Sequence, residues 1–160
     1  MLEQELKKFI EDHSRIIFLC IGNDMRGDDA IGPMIAGKLK KIFKKTPDLM
    51  VINAETVPEN YTGTIRKENP SHIIFIDAVE MKSNPGHIRL VQREEIADYS
   101  ISTHAMPISF MIKYLESFTD ARMLLIGIQP KNMEMDNSIS DEVQESVEKL
   151  TGILMKIFKV

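Results

Sequence analysis

Three polar residues of this 160-residue sequence lie where parallel-sheet proteins build their sites: Asp29, Asp77 and His104. Each follows the end of a predicted core strand or comes just before a predicted helix. Because the carboxyl ends of parallel strands meet at one edge of a sheet, we expect the three side chains to converge there. Two carboxylates and one imidazole suit a divalent metal such as zinc or nickel, with positions left open for water or substrate. The spacing therefore indicates a three-ligand metal site.

Each of these residues also has a simpler interpretation when it is taken alone. Asp29 is consistent with a helix-end carboxylate, Asp77 with a strand-end turn former, and His104 with a histidine satisfied near a helix N-cap. No HExxH pair occurs in the sequence, so an ordinary zincin mechanism is unsupported. On residue types alone, the structural and the metal-binding interpretations both remain open.

The stretch around Asp29 disfavours a phosphate site. An apolar run, Ile16–Ile21, breaks at Gly22, and a short loop then places Asp28 and Asp29 at the start of a helix. The free N–H groups and dipole of a helix start favour an anion, but here the chain supplies the anion itself. We expect Asp28 to cap the helix, which contributes about 1 kcal/mol. Asp29 is then left to help hold a cation, and the glycine motifs of nucleotide sites are absent from the sequence.

Alternating strand and helix patterns must position these residues. Short apolar runs predict five strands, of which the fourth has charged neighbours and is expected at a sheet edge, possibly antiparallel. The strands are predicted at residues 16–21, 49–53, 72–76, 86–91 and 123–128. The helices are predicted at residues 2–12, from Asp28 and Asp29 to about residue 42, at 62–69 and at 107–118, and a last helix begins at about residue 141 with Ser140 as its cap. Strands alternating with helices predict an α/β layered sheet within a single domain, residues 1–160.

The composition limits the binding partners and the cellular compartment that we expect for this protein. A net charge of −4 argues against a nucleic acid or an anionic membrane as partner. No apolar segment approaches the length needed to span a bilayer, and no signal peptide is visible. The single cysteine, Cys20, lies in the first apolar run, where we expect a packed core thiol. One cysteine forms no internal disulfide and suits a reducing cytosol, so we expect a cytoplasmic protein.

Several segments together resemble the maturation endopeptidases of [NiFe] hydrogenases, in particular the type that serves formate-hydrogenlyase-like and related large subunits. They occur in the family's order and cover most of the chain from residue 16 to residue 130. The segments are CIGNDMRGDDAIGP at residues 20–33, VPENYTG at 57–63, IIFIDAVEM at 73–81, NPGHIRL at 84–90, STHAMPISFMIKYLE at 102–116 and GIQP at 127–130. Any one of them is weak, but their combination is specific.

The resemblance implies a three-layer α/β/α sandwich with a twisted, mostly parallel five-stranded sheet. It also implies a hydrolase, an endopeptidase that removes the C-terminal extension of a hydrogenase large-subunit precursor once nickel is installed. The family's metal ligands correspond to Asp29, Asp77 and His104, the same residues that strand ends indicate. The nickel would be presented by the precursor, although zinc or cadmium could occupy the site. Either this metal or a pair of aspartates sharing one proton would activate water, and the sequence leaves both open.

Five further residues are candidates for substrate binding. Gly22 and Asn23 are expected to shape the loop because both tolerate positive φ. Arg26 could contact a substrate carboxylate, and a solvated surface arginine is the alternative. Gln129 could hydrogen-bond the substrate backbone, and loop packing is the alternative. Glu55 lies where many relatives carry an Asp-Gly-Gly-Thr/Ser run associated with substrate choice, so its charge leaves the identity of the processed subunit open.

Two other functions compete with the endopeptidase. The same three ligands would serve a non-catalytic nickel carrier or assembly chaperone. A small-molecule α/β hydrolase or a phosphate-binding domain is disfavoured by the acids at the helix start.

Overall fold

The fold is an α/β/α sandwich with Asp29 and Asp77 at one edge of its central sheet. We analysed a computed structural model that describes residues 1–98 and 107–160. The strands are β1 (Ile16–Ile21), β2 (Leu49–Glu55), β3 (His72–Ala78), β4 (Ile88–Gln92) and β5 (Arg122–Ile128), and the helices are α1 (Leu2–Phe9), α2 (Ile31–Ile42), α3 (Thr62–Glu68), α4 (Ile108–Glu116) and α5 (Asp141–Phe158). Short 3-10 helices occupy Gly27–Ala30, Pro58–Tyr61 and Arg93–Asp98.

The sheet has the strand order β2-β1-β3-β5-β4. The first four strands in that order run parallel, and β4 pairs antiparallel with β5 at the edge. This confirms the predicted five-stranded, mostly parallel sheet and its charged edge strand. Strands β1 and β3 are buried along their whole length, as expected of central strands covered by helices on both faces.

Each face of the sheet has its own apolar core. On one face, alternate residues of β1 and β3 such as Phe18 and Ile74 pack with buried residues of α1, α2 and α5. On the other face, residues such as Leu19 and Phe75 pack with α4 and with Ile65 of α3. The helices therefore form two layers around the sheet, which confirms the predicted three-layer architecture. No helix in residues 1–98 and 107–160 is long and apolar enough to cross a membrane.

Several predicted boundaries were wrong by a few residues. Strands β2 and β3 each run two residues further than predicted, so Glu55 and Asp77 belong to the strands. The predicted extension of α1 to Asp12 was also wrong, because the helix ends at Phe9 and Asp12 has a positive φ of 60°. The periodicity of apolar residues fixes which elements form, whereas their ends depend on hydrogen bonds that the periodicity does not contain.

Candidate active site

Asp29 lies in the 3-10 turn Gly27–Ala30, which connects the loop after β1 to α2. The turn packs against β3 at the carboxyl edge of the sheet. The approach is close because glycines remove side chains on both sides of the turn. A Cβ atom on Gly22 would lie 2.0 Å from the carbonyl oxygen of Asp29, and one on Gly32 would lie 2.0 Å from that of Ile21.

The two carboxylate oxygens of Asp29 differ in their hydrogen bonding. The side chain is buried, with 1% of its surface exposed. Its Oδ2 atom accepts a hydrogen bond from the backbone N–H of Asn23, at 3.1 Å. Its Oδ1 atom is buried and has no hydrogen-bond partner among the described residues. A buried carboxylate oxygen that lacks a donor is unfavourable in a folded protein. A catalytic role or a bound ion is one explanation for such an atom.

Asp77 is the penultimate residue of β3 and is fully buried. Its Cα is in register with that of Gly127 in β5. Because side chains alternate along a strand, Asp77 is on the same face of the sheet as Phe75, the face that α4 covers. The structure thus brings the turn that carries Asp29 against the strand that carries Asp77, as the sequence predicted from strand ends.

His104 lies outside the described residues, so its place beside the two aspartates stays a prediction. The described chain resumes just before α4, which begins at Ile108 and packs on the face of the sheet that Asp77 shares. Within residues 1–98 and 107–160, no group of three His, Cys, Asp or Glu side chains is arranged to hold a metal ion. His104 therefore stays the predicted third ligand at this edge.

Asp28 does not cap its own helix, which corrects the sequence-based expectation. Neither the Gly27–Ala30 turn nor α2 has a side-chain capping hydrogen bond. Instead, the fully buried carboxylate of Asp28 accepts hydrogen bonds from a distant loop. The donors are the backbone N–H groups of Lys131 (2.8 Å), Asn132 (3.0 Å) and Ser140 (2.7 Å) and the hydroxyl group of Ser140 (2.9 Å).

Ser140 precedes α5 at the predicted N-cap position, but its hydroxyl group also has a different role from the one expected. It makes no capping hydrogen bond to the helix and donates to Asp28 instead. Sequence reasoning missed this contact, because residues 28 and 140 are 112 positions apart and no pattern connects them.

A small polar cavity of about 200 Å³ lies next to the Asp29 turn. Its lining includes Gly22, Asn23 and Glu55, three of the residues predicted to bind substrate. Glu55 ends β2 with a positive φ of 52°, and its carbonyl oxygen accepts a hydrogen bond from the N–H of Gly22 at 2.8 Å. This bond joins the loops after β1 and β2, so the structure places these three residues together.

Arg26 and Gln129, the two remaining candidates for substrate binding, have different surroundings. Arg26 is half-buried on the loop before the turn, and its guanidinium makes no hydrogen bond or ion pair with the residues described.

The side chain of Gln129 is buried, and its amide group makes hydrogen bonds within the protein. Its Oε1 accepts from the N–H groups of Met81 (2.7 Å) and Ser83 (3.3 Å), and its Nε2 donates to Glu80 (3.0 Å). These contacts favour loop packing over substrate binding for Gln129.

Cys20 is a core thiol, as expected from its position in the first apolar run. It is fully buried in β1, and this burial raises the pKa of its thiol to about 12. The positive charge of Lys40 lowers this pKa, and the negative charge of Asp77 raises it. A thiol in this environment remains protonated at neutral pH and is a poor nucleophile.

Comparison with known proteins agrees with this geometry. The sequence profile of the HycI hydrogenase maturation proteases matches residues 33–157. The chain belongs to the hydrogenase maturation protease family. It is 33% identical to the hydrogenase 3 maturation protease of Escherichia coli K12 over 141 residues, which are 85% of this chain and 88% of the relative.

Solved structures of hydrogenase maturation proteases share the fold. The [NiFe] hydrogenase maturation protease HycI from Thermococcus kodakarensis superposes with a TM-score of 0.89 at 31% identity, over 98% of this chain and 99% of the other. The solution structure of the endopeptidase HycI from Escherichia coli superposes with a TM-score of 0.74 at 30% identity, over 86% and 87% of the two chains. The profile match begins at residue 33, after the Asp29 turn. The superposition on the Thermococcus kodakarensis structure covers 98% of the chain and so extends over that turn.

Proposed function

We propose that this protease removes the C-terminal extension of a [NiFe]-hydrogenase large-subunit precursor after nickel has been inserted. In this proposal the precursor presents its nickel to Asp29, Asp77 and His104. The observation that carries the proposal is the state of Asp29, whose buried Oδ1 lacks a donor among the described residues while its turn packs against the strand of Asp77. Family membership supplies the reaction class, a peptidase acting in hydrogenase maturation.

The charges at this edge of the sheet explain why nickel would act as a signal. Asp29 and Asp77 are both buried, and a buried carboxylate is stabilised by a cation that it contacts. A nickel-loaded precursor brings such a dication, held by its own ligands, whereas an empty precursor offers nothing to pair with the two carboxylates. Binding of the loaded precursor is then favoured by an interaction that the empty one lacks.

In this proposal, residues of the protease have separate roles in metal binding and substrate binding. Asp29, Asp77 and His104 would hold the dication. Held there, it would supply Lewis-acid chemistry, by polarisation of the scissile carbonyl group or by a lower pKa of a bound water. In this proposal the cavity lined by Gly22, Asn23 and Glu55 receives the peptide that flanks the cleaved bond, and Arg26 contacts a substrate carboxylate. We expect the reaction in the cytoplasm, where Cys20 stays reduced.

Incubation of the purified protease with nickel-loaded and nickel-free precursor tests the proposal. We expect the loaded precursor to be shortened at its C-terminus and the nickel-free precursor to remain intact, as measured by the mass of the product. Equal cleavage of both forms would remove nickel recognition from the proposal. Cleavage of neither form, together with nickel binding by the protein, would identify a carrier or assembly chaperone instead.

The variant His104→Ala separates nickel recognition from an aspartate pair that activates water alone. Under nickel recognition the variant loses processing, because one of three ligands is missing. Under the aspartate pair it retains processing, because the imidazole has no role there. Its thermal unfolding should match that of the wild type, and a large fall in the unfolding temperature would show a structural histidine instead.

A further inference from the structure

The Asp28 carboxylate connects two segments that are far apart in sequence. Both of its oxygen atoms accept hydrogen bonds from the loop of residues 131–140: Oδ2 from the N–H groups of Lys131 and Asn132 and the hydroxyl group of Ser140, and Oδ1 from the N–H group of Ser140. Hydrogen bonds to a charged acceptor are stronger than those between neutral groups. The contact is therefore a strong attachment between the Asp29 turn and this loop.

The backbone of the turn adds to this attachment. The N–H of Asp28 donates to the carbonyl oxygen of Asn132 at 2.8 Å, and the N–H of Gly27 donates to that of Asn137 at 3.1 Å. The N–H of Asp136 donates back to the carbonyl oxygen of Met25 at 2.8 Å. Gly27 has a φ of 50°, and a Cβ atom there would lie 2.4 Å from the carbonyl oxygen of Asn132. The two backbones are thus in direct contact.

The loop of residues 131–140 is anchored to the protein core because it leads directly into α5. Ser140, which gives Asp28 two of its four donors, immediately precedes this 18-residue helix. Buried residues of α5 such as Val147 and Leu150 pack into the core on one face of the sheet. The negative charge of Asp28 is also close to the N-terminus of α5, where the helix dipole favours an anion.

The donors around Asp28 exclude it as the open ligand of the site. Both of its oxygens are occupied, whereas Oδ1 of the adjacent Asp29 has no partner among the described residues. The other Asp29 oxygen is held by the N–H of Asn23. The turn is consequently fixed from two sides, by the Asp28 carboxylate on the loop and by Asn23 on Asp29.

We propose that Asp28 is a positioning residue, which holds the Gly27–Ala30 turn on the 131–140 loop so that Oδ1 of Asp29 is fixed towards the nickel of the precursor. The inference rests on the proposed function for the identity of that metal. Asp28 acts on Asp29 through the backbone of the turn. Replacement of a group that orients a metal ligand without touching the metal commonly lowers activity or metal affinity by roughly 10–100-fold.

The variant Asp28→Asn tests the inference, because it keeps the size of the side chain and places an NH₂ group among four donors. We expect kcat/KM for nickel-loaded precursor, measured per folded molecule, to fall by about tenfold or more. We also expect the backbone amide of Asn23, which is bonded to Asp29, to exchange its hydrogen about tenfold faster, since a freer turn opens that bond more often.

Ser71→Ala is the matched control. The Ser71 hydroxyl group accepts from the N–H groups of Ser14 (3.0 Å) and Arg15 (3.2 Å) and donates to the carbonyl oxygen of Arg15 (3.0 Å). It lies before β3, at the opposite end of the sheet from Asp77. Its loss should lower stability while leaving kcat/KM per folded molecule and Asn23 exchange unchanged. If Asp28→Asn behaves in the same way, Asp28 is structural and the inference is overturned.

Two further comparisons decide the inference if Asp28→Asn does not fold or if the wild-type protein is inactive. If Asp28→Asn does not fold, Ser140→Ala takes its place, because it removes one donor and leaves the three backbone donors. A smaller loss of kcat/KM with faster Asn23 exchange supports the inference, and unchanged values for both overturn it. If the wild-type protein does not process the loaded precursor, the proposed function fails, and Asn23 exchange alone then decides whether Asp28 fixes the turn.

Discussion

Gly22 and the carbonyl group of Asp29 are so close that no side chain fits between them. A Cβ atom on Gly22 would lie 2.0 Å from the carbonyl oxygen of Asp29 and 3.2 Å from the ring of Pro33. Gly22 also donates its N–H to the carbonyl oxygen of Glu55, so its backbone cannot move away without losing that bond. The turn that carries Asp29 depends on this contact for its distance from the end of β1.

We expect Gly22→Ala to displace the Asp29 turn. The added methyl group overlaps backbone, so the free energy of unfolding should fall by about 1–3 kcal/mol, and processing should fall further than stability. Gly37→Ala is the control, because Gly37 lies within α2 and an added Cβ would have no described atom within 4 Å apart from its chain neighbours and its own helix backbone. Its free energy of unfolding should rise by up to about 1 kcal/mol. Urea unfolding and precursor processing measure both effects, and a Gly22→Ala protein with normal activity would contradict the prediction.

The adjacent acids should respond in opposite ways to neutralisation. Asp28→Asn leaves donors of the 131–140 loop without a charged acceptor, so we expect a loss of about 1–3 kcal/mol in the free energy of unfolding. Asp29→Asn keeps an oxygen for the N–H of Asn23 and removes a buried charge, so its stability should equal or exceed that of the wild type.

Processing should separate Asp29 from a surface acid at the opposite end of the sheet. Asp29→Asn should abolish cleavage of nickel-loaded precursor, whereas Asp48→Asn, which changes an exposed acid directly before β2, should leave it nearly unchanged. Chemical denaturation of all three variants is the accompanying measurement. A destabilised Asp29→Asn protein would mean that Asp29 serves the fold.

Gln129→Ala distinguishes loop packing from substrate contact. The buried amide of Gln129 holds the N–H groups of Met81 and Ser83, and their loss should lower the free energy of unfolding by about 1–3 kcal/mol. The KM for the precursor should stay unchanged, because the amide is occupied within the protein. Steady-state processing kinetics provide the measurement, and a raised KM at unchanged stability would restore the substrate-binding prediction.

Cys20 should make the protein less stable in alkali. Burial raises the pKa of its thiol from 9.0 to about 12 in the folded state. Below pH 9 the thiol is protonated in both states and the full contribution is present. As the pH rises from 9 towards 12, only the unfolded thiol releases its proton, which favours unfolding. Urea unfolding at several pH values should show a steeper alkaline loss for the wild type than for Cys20→Ala, and equal slopes would contradict the burial effect.

Much of the fold could be predicted from local pattern. The run Ile16–Ile21 was predicted as β1 with the correct ends, because a central parallel strand must be apolar on both faces. The charged neighbours of β4 indicated an edge strand correctly, since one side of that strand meets solvent. Strand ends were also enough to predict that Asp29 and Asp77 lie at the same edge, because a parallel sheet leaves no other arrangement.

The roles of individual polar residues required the tertiary structure. Asp28 and Asp29 are identical side chains at consecutive positions, and the sequence pattern suggested a helix cap for the first. Only the folded chain brings the loop of residues 131–140 to Asp28, since hydrogen bonds between distant segments leave no periodic trace in a sequence.

The sequence by itself determined the layered α/β fold, the family resemblance and the edge at which Asp29 and Asp77 lie, because apolar periodicity and motif order are local properties. The tertiary structure decided which acid is saturated and which keeps an open oxygen, and it assigned Gln129 to a loop. The physical reason is that a donor must lie within about 3 Å of its acceptor, and only the complete fold establishes that proximity between residues more than a hundred positions apart.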